Sequence, residues 1–362
     1  MNRKLFRTGI VGAALAAVVL YACSKGGDGD GGGTANNDAF KTEMLTNYAD
    51  NIITPAYTNL QAKLGLLETS VNAFIATPSV GTQATLKTAF KDAWLGFENV
   101  SAAYFGPGAA LLLNSSINTW PAVPAKIEAG IQSGTYNFTI PVASDSIQGF
   151  PALDYLLFST DAVQKFADAG AANRKKYVQD VITRMKSLVD NTLNQWKGAY
   201  RTTFVSSLKT DVGSSIGALI NQFAFEMDAM KGPRIGWPFG KQSNGIVFAD
   251  KCEGYYAGFS ADLAIANLTS LKNYFTGGTG KGIDDYLILL KKDKLNSDVL
   301  AQFDVALNTL KAIPAPLSAS FTNNANLVEA AYKEVQKLLT LIKTDVASAT
   351  AVQITYMDND GD

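Results

Sequence analysis

The chain has 362 residues, a formal net charge of −1, two cysteines and no histidine. Charged residues make up 17%, below the roughly 25% of an average soluble domain, and there is no basic excess of the kind that tracks nucleic acid. Without histidine there is no Ser-His-Asp or Cys-His nucleophile pair, no His-Glu-x-x-His zinc site, no Glu-x-x-His di-iron bundle and no histidine-ligated haem. A metal site would have to draw on carboxylates, carbonyls, tyrosine, methionine or Cys252. A general base near neutral pH would be a carboxylate or lysine with a shifted pKa.

Residues 1–22 read as a signal peptide. Arg3, Lys4 and Arg7 form a basic start, and Ile10 to Leu20 is an apolar run too short to span a bilayer comfortably. The segment ends Leu20-Tyr21-Ala22-Cys23, which resembles a bacterial lipobox. That resemblance implies cleavage before Cys23, acylation of Cys23 and insertion of its lipid into a membrane, with the outer membrane, on its periplasmic or surface face, as the expected location. Cys252 then has no partner within the chain, so a disulfide framework is excluded, and it is expected to be a small buried apolar residue. Residues 23–37 form a glycine-rich tether without a large apolar side chain.

From residue 38 onward the pattern is helical. Tyr57, Leu60, Leu64, Leu67, Val71 and Phe74 recur at gaps of three and four, the spacing of one helix face. Pro55 is expected to kink or divide the stretch ahead of them, and Pro78 to end it, with Thr82 capping the next helix. That helix carries Phe90, Trp94, Phe97, Ser101 and Tyr104 and is expected to stop at Gly106-Pro107-Gly108. Residues 133–146 read as a loop or short extended segment. Ile216, Ile220, Phe223, Met227 and Met230 make a third stripe. Gly232-Pro233 and Pro238 open an irregular connection to about Asp250, and residues 276–282 are a loop. Val328, Ala331, Val335, Leu338, Ile342 and Val346 make the last stripe. Strand-like alternation is scarce. The expected fold is all-α, two four-helix-bundle-like domains over residues 38–210 and 211–362.

Four carboxylates sit beside apolar stripes: Glu98, Asp154, Glu226 and Glu253. Charged groups are seldom buried unpaired, so these either converge on a site, with Arg234 or Lys231 as counter-charge, or lie at stripe edges in structural ion pairs. Trp94, Trp196 and Trp237 are expected to be packing residues, with Trp120-Pro121 the tryptophan best suited to a ligand cleft. The helix that carries Asn221, Gln222, Phe223, Glu226, Asp228 and Lys231 runs into Pro233-Arg234-Ile235-Gly236-Trp237-Pro238, and this stretch suits either a loop lining such a cleft or a plain connector. The acidic tail Asp358-Asn359-Asp360-Gly361-Asp362 is too short to complete an EF-hand loop.

Five segments together resemble the imelysin family, also called the imelysin peptidases. They are Ala93-Trp94 with Phe105-Gly106-Pro107, Asn118-Thr119-Trp120-Pro121, the run Gly149-Phe150-Pro151-Ala152-Leu153-Asp154, the run Glu253 to Ser260, and the acidic tail. The resemblance implies a two-domain helical fold, an envelope location and a role in iron or haem acquisition, with metallopeptidase activity described for some members. It places the family's Gly-x-His-x-x-Glu motif at Gly149, Pro151 and Asp154, and a Glu-x-x-Tyr-Ser-like helix at Glu253 to Ser260. Proline replaces the motif histidine, so half of the metal-binding pair is absent.

The candidate ligand-binding residues are therefore Glu98, Trp120, Gly149, Pro151, Asp154, Glu226, Arg234, Glu253 and Ser260, with Asp154, Glu98 and Glu253 as candidate metal ligands, Cys23 as the lipidation site and no catalytic residue. The expected function is that of a non-catalytic binding lipoprotein linked to iron or haem uptake. The alternatives are an imelysin-type metallopeptidase and a surface protein that binds a polypeptide or glycan.

Overall fold

The stripes fold as their spacing predicts. The computed structural model describes residues 37–356; the signal segment, Cys23, all of the tether but Asn37, and the acidic tail lie outside the described residues. Among the described residues there are helices, turns and loops and no β-strand, and no helix is long and apolar enough to cross a membrane. The principal helices are α1 (Asp38–Asn47), α2 (Thr54–Ala76), α3 (Val80–Glu98), α4 (Gly149–Phe158), α5 (Ala172–Lys197), α6 (Ser215–Ala229), α7 (Ser260–Thr276), α8 (Asp293–Lys311) and α9 (Ala325–Thr340).

Every apolar member of the 57–74 and 328–346 stripes is fully or almost fully buried. In the first half of the chain α2 packs on α3 and α5. In the second, α8 packs on α7 and α9, and α6 on α9. The halves meet where α7 lies against α3. The start of the chain is tied to the second half as well. Tyr48 donates its hydroxyl proton to the Tyr274 carbonyl and accepts from the Ile283 amide at 3.2 Å, while Asn47 donates to the carbonyls of Gly277 and Lys281 at 2.7 and 2.9 Å.

Helix boundaries correct several sequence expectations. Pro55 does interrupt the first helical stretch as expected: α1 runs into a wide π-helical turn at Tyr48–Ile53, and α2 starts beside the proline, which lies in its first turn. The cap of α3 is Ser79, not Thr82. The two form a capping box, with reciprocal side-chain to amide bonds of 3.1 Å. That helix stops at Glu98 rather than at Gly106-Pro107-Gly108, and Ser101–Ala103 continues as a tighter 3-10 turn. Conversely, α6 does not end at Gly232. It runs on through a π-helical turn, Met230–Gly236, that encloses Pro233; the wider turn accommodates a proline that an α-helix interior would reject. The segment Glu253 to Gly258 is a series of turns rather than a helix, with α7 starting at Ser260.

Gly149 shows why its run has the sequence it has. Its φ is +73°, and a Cβ there would lie 2.1 Å from the Ile117 carbonyl oxygen. Pro151 follows in the first turn of α4, buried and with no amide to satisfy. Gly149→Ala is expected to destabilise the fold by about 3 kcal/mol or more. Gly130→Ala, where the nearest atom would be 3.4 Å away, is expected to change it by less than about 1 kcal/mol. Urea denaturation of the two variants checks the contrast.

Candidate functional site

The end of α3 delivers Glu98 into the interior, and three later segments meet it there. Glu226 comes from α6, Arg234 from the π-helical turn that extends α6, and Glu253 from the turn before α7. All four are buried, with Glu98 at 0% exposure. The Arg234 guanidinium is the hub. One terminal nitrogen donates to Glu98 Oε2 at 2.8 Å and the other to Glu253 Oε2. Its face lies over the Trp120 ring, 5.1 Å from the ring centre, a cation–π contact.

Neutral side chains complete the network. Asn267 Nδ2, on α7, shares its two hydrogens among Glu98 Oε2 at 2.9 Å, Ser101 Oγ at 3.0 Å and Glu226 Oε2 at 3.1 Å. Gln222 Nε2 donates to Glu226 Oε1 at 3.1 Å. Asn118 Nδ2 donates to Glu253 Oε1 at 2.6 Å, and Asn118 Oδ1 accepts from the Trp94 indole at 3.1 Å. Trp94 in turn stacks on Phe150, with ring centres 5.2 Å apart.

The cluster thus sets three carboxyl groups against one guanidinium. Burial raises Glu98 well above the ordinary carboxyl pKa; Arg234 pulls it down, but Glu253 and Glu226 push the same way as burial. Glu226 is raised too, again chiefly by burial. Burial alone would lower Arg234, yet Glu253, Glu98 and Glu226 outweigh it and hold the guanidinium above its usual value. It stays charged throughout the working pH range.

Asp154 stands apart from this network. Its two oxygens accept the backbone amides of Tyr256 and Ala257 at 2.9 and 2.8 Å, so it closes the turn that presents Glu253. Burial lifts its pKa to about 7, against the opposing pull of those amides and of Lys87. Ser260 is also elsewhere: its hydroxyl donates to Cys252 Sγ at 3.2 Å. Cys252 is buried, and desolvation pushes its thiol up to about 12, which makes it unreactive. Gly149 and Pro151 shape the start of α4 rather than contribute ligands.

The placement of Asp154, Glu98 and Glu253 corrects their assignment as one metal site. Glu98 and Glu253 close on a guanidinium, which repels a metal ion between them. Each Asp154 oxygen accepts a peptide amide. Among the described residues, no three or more acidic or cysteine side chains are grouped to hold a metal ion, so the donor set does not fit a resident metal in the way a zinc peptidase requires.

A pocket of about 300 Å³ opens beside the cluster, walled by Trp120, Phe225 and Trp237, with Glu226 and Arg234 on its surface. Its volume lies at the small end of small-molecule sites. Trp94 and Trp196 are fully buried packing residues, but Trp237 is not; it is 44% exposed at this pocket. Residues 221–229 reach the pocket from a helix, as expected, while Pro233 to Gly236 do so from its π-helical extension rather than from a loop.

The imelysin family profile matches residues 53–342. The chain belongs to the imelysin family. Two solved structures share the imelysin fold with it. One is a protein assigned as an iron-regulated protein A precursor from Parabacteroides distasonis ATCC 8503, at 19% identity and a TM-score of 0.75, covering 88% of this chain and 97% of that one. The other is an imelysin-like protein from Psychrobacter arcticum 273-4, at 17% identity and a TM-score of 0.70, covering 88% and 98%. None of the curated proteins matches this chain.

Asn267 and Phe225 were not among the candidates from sequence, Asn118 entered only as part of a family segment, and Trp237 only as a packing residue within a cleft-lining run. Asn267 carried a usable signal, a polar residue among Leu263, Ala264, Leu268 and Leu271 on a buried helix face. Arg234→Met is expected to destabilise this imelysin by about 3–5 kcal/mol at neutral pH, because it strands buried carboxylates. Glu98 and Glu226 bind protons more tightly folded than unfolded, so their contribution to stability is present at low pH and is lost as pH rises through their folded pKa values. The variant should therefore recover toward wild type when thermal melts are moved from pH 8 to pH 5.

Proposed function

We propose that this imelysin is a non-catalytic binding protein of the cell envelope, linked to iron or haem uptake and anchored through an acylated Cys23. The observation that carries the binding role is the pairing of a closed ion cluster with an open aromatic pocket. The acidic side chains that would serve metal chemistry are committed to Arg234 and to backbone amides, whereas Trp237 and Phe225 stand partly exposed at a preformed cavity. A cavity of that kind recognises part of an organic molecule, by apolar contact and a few fixed polar groups. Family membership and the iron-regulated description of the Parabacteroides distasonis protein support the link to iron.

Titration of the purified full-length chain with haem, with ferric citrate and with ferric ion alone tests this reading. Saturable quenching of tryptophan emission by haem or the organic ferric complex is expected, weakened about tenfold or more in Trp237→Ala, with no saturable response to ferric ion alone. No saturable response to any of the three counts against the proposal, and chelator-sensitive cleavage of a protein substrate would replace it with the peptidase reading. For the anchor, Cys23→Ser is expected to move the protein from the membrane fraction to the soluble fraction.

A further inference from the structure

We propose that the pocket walled by Trp120, Phe225 and Trp237 takes a small organic cation, an ammonium or amidinium group on an apolar body, with Glu226 as its counter-charge. The inference rests on the reading of this pocket as a ligand site and adds the charge of what enters it.

The acids are shared unevenly. Arg234 bonds directly to Glu98 and Glu253. Glu226 bonds only to neutral donors, Gln222 on one oxygen and Asn267 on the other, with the Ser101 hydroxyl in support. Among the described residues, no lysine or arginine forms an ion pair with Glu226. It is nevertheless 4% exposed and lines the pocket. A buried carboxylate held by neutral amides is a host for positive charge, because charges out of water need a partner.

Two further buried acceptors in the same network, Glu98 Oε1 and Asn267 Oδ1, have no hydrogen-bond donor, against a single unpartnered donor, Arg234 Nε. The network therefore has more unpartnered acceptors than donors. Its walls agree. Aromatic faces attract cations, and Trp120 already covers the Arg234 guanidinium in this way. Phe225 and Trp237, 42% and 44% exposed, offer aromatic surface to an incoming group. Arg234 does not reverse the preference, since two carboxyl groups at hydrogen-bond distance offset its charge. An anionic group entering here would face Glu226 directly, and a neutral group would leave Glu226 with only the Arg234 charge that Glu98 and Glu253 already share. The volume of about 300 Å³ limits the entering part to one ring or a short chain.

A matched series of benzyl compounds isolates the charge. Benzylamine, benzyltrimethylammonium, benzyl alcohol and benzoate are titrated into the purified full-length chain by calorimetry, at pH 7 and up to millimolar concentration. The expected result is that one or both cations bind at least about tenfold more tightly than the alcohol, with benzoate weakest. Glu226→Gln, which keeps the shape and removes the charge, should abolish the discrimination. Trp237→Ala, at the exposed edge, should weaken the cations without changing the melting temperature by more than a few degrees. Alcohol or benzoate binding as tightly as the amines overturns the proposal and leaves the pocket as a ligand site. Cation binding that survives Glu226→Gln unchanged overturns it as well. If none of the four binds while haem or ferric citrate does, the charge assignment fails and the binding role stands; if nothing binds, both fail.

Discussion

A guanidinium buried among three carboxyl groups sets the terms for much of this molecule. Arg234 is almost wholly removed from the surface, so the chain must bring acids to it from distant positions and hold them in register. Glu98 arrives because α3 ends where it does, and the tight turn at Ser101–Ala103 then exposes a carbonyl to Asn114 and Gln222. Glu253 arrives on a turn fastened by Asp154. Arg234 itself reaches inward from a π-helical turn. Buried ionic networks add little net stability, since desolvation offsets the attraction, but removing one member is costly. The cluster accordingly acts more as a constraint on arrangement than as a source of stability.

This view separates two roles that adjacent acids often share. Asp154, at the position where the imelysin pattern has a glutamate, holds backbone. Glu98 and Glu253 hold Arg234. Glu226 is the acid in contact with both the network and the open pocket. The chemistry available to the site then follows from its surroundings: neutral amides on one side and aromatic rings on the other make a recognition surface, with electrostatics set by the surplus acid.

Legibility from sequence followed the range of the interaction. The stripes on α2, α6 and α9 were readable because burial imposes a helical period on neighbouring residues. Helix ends were less so: Ser79 could be mistaken for Thr82 because both belong to one capping box, and Pro233 looked like a terminator because a π-helical turn leaves no compositional mark. The convergence of Glu98, Glu226 and Glu253 was open to suspicion from their apolar neighbours. The role of Asp154 was not, because its partners are peptide amides about a hundred residues away that any sequence would supply. Trp237 looked like core, and only the three-dimensional course of the chain leaves it half exposed.

The topology of the ion cluster also bears on how the polypeptide can be divided. Arg234 takes one acid from residue 98 and another from residue 253, and Asn118 and Asn267 bridge the same two stretches. A cut near residue 210 would leave each piece with only part of the charge network and with apolar surface that the other piece covers. Separately made halves would thus be poor folders alone but well suited to reassembly, each carrying the counter-ions that the other requires.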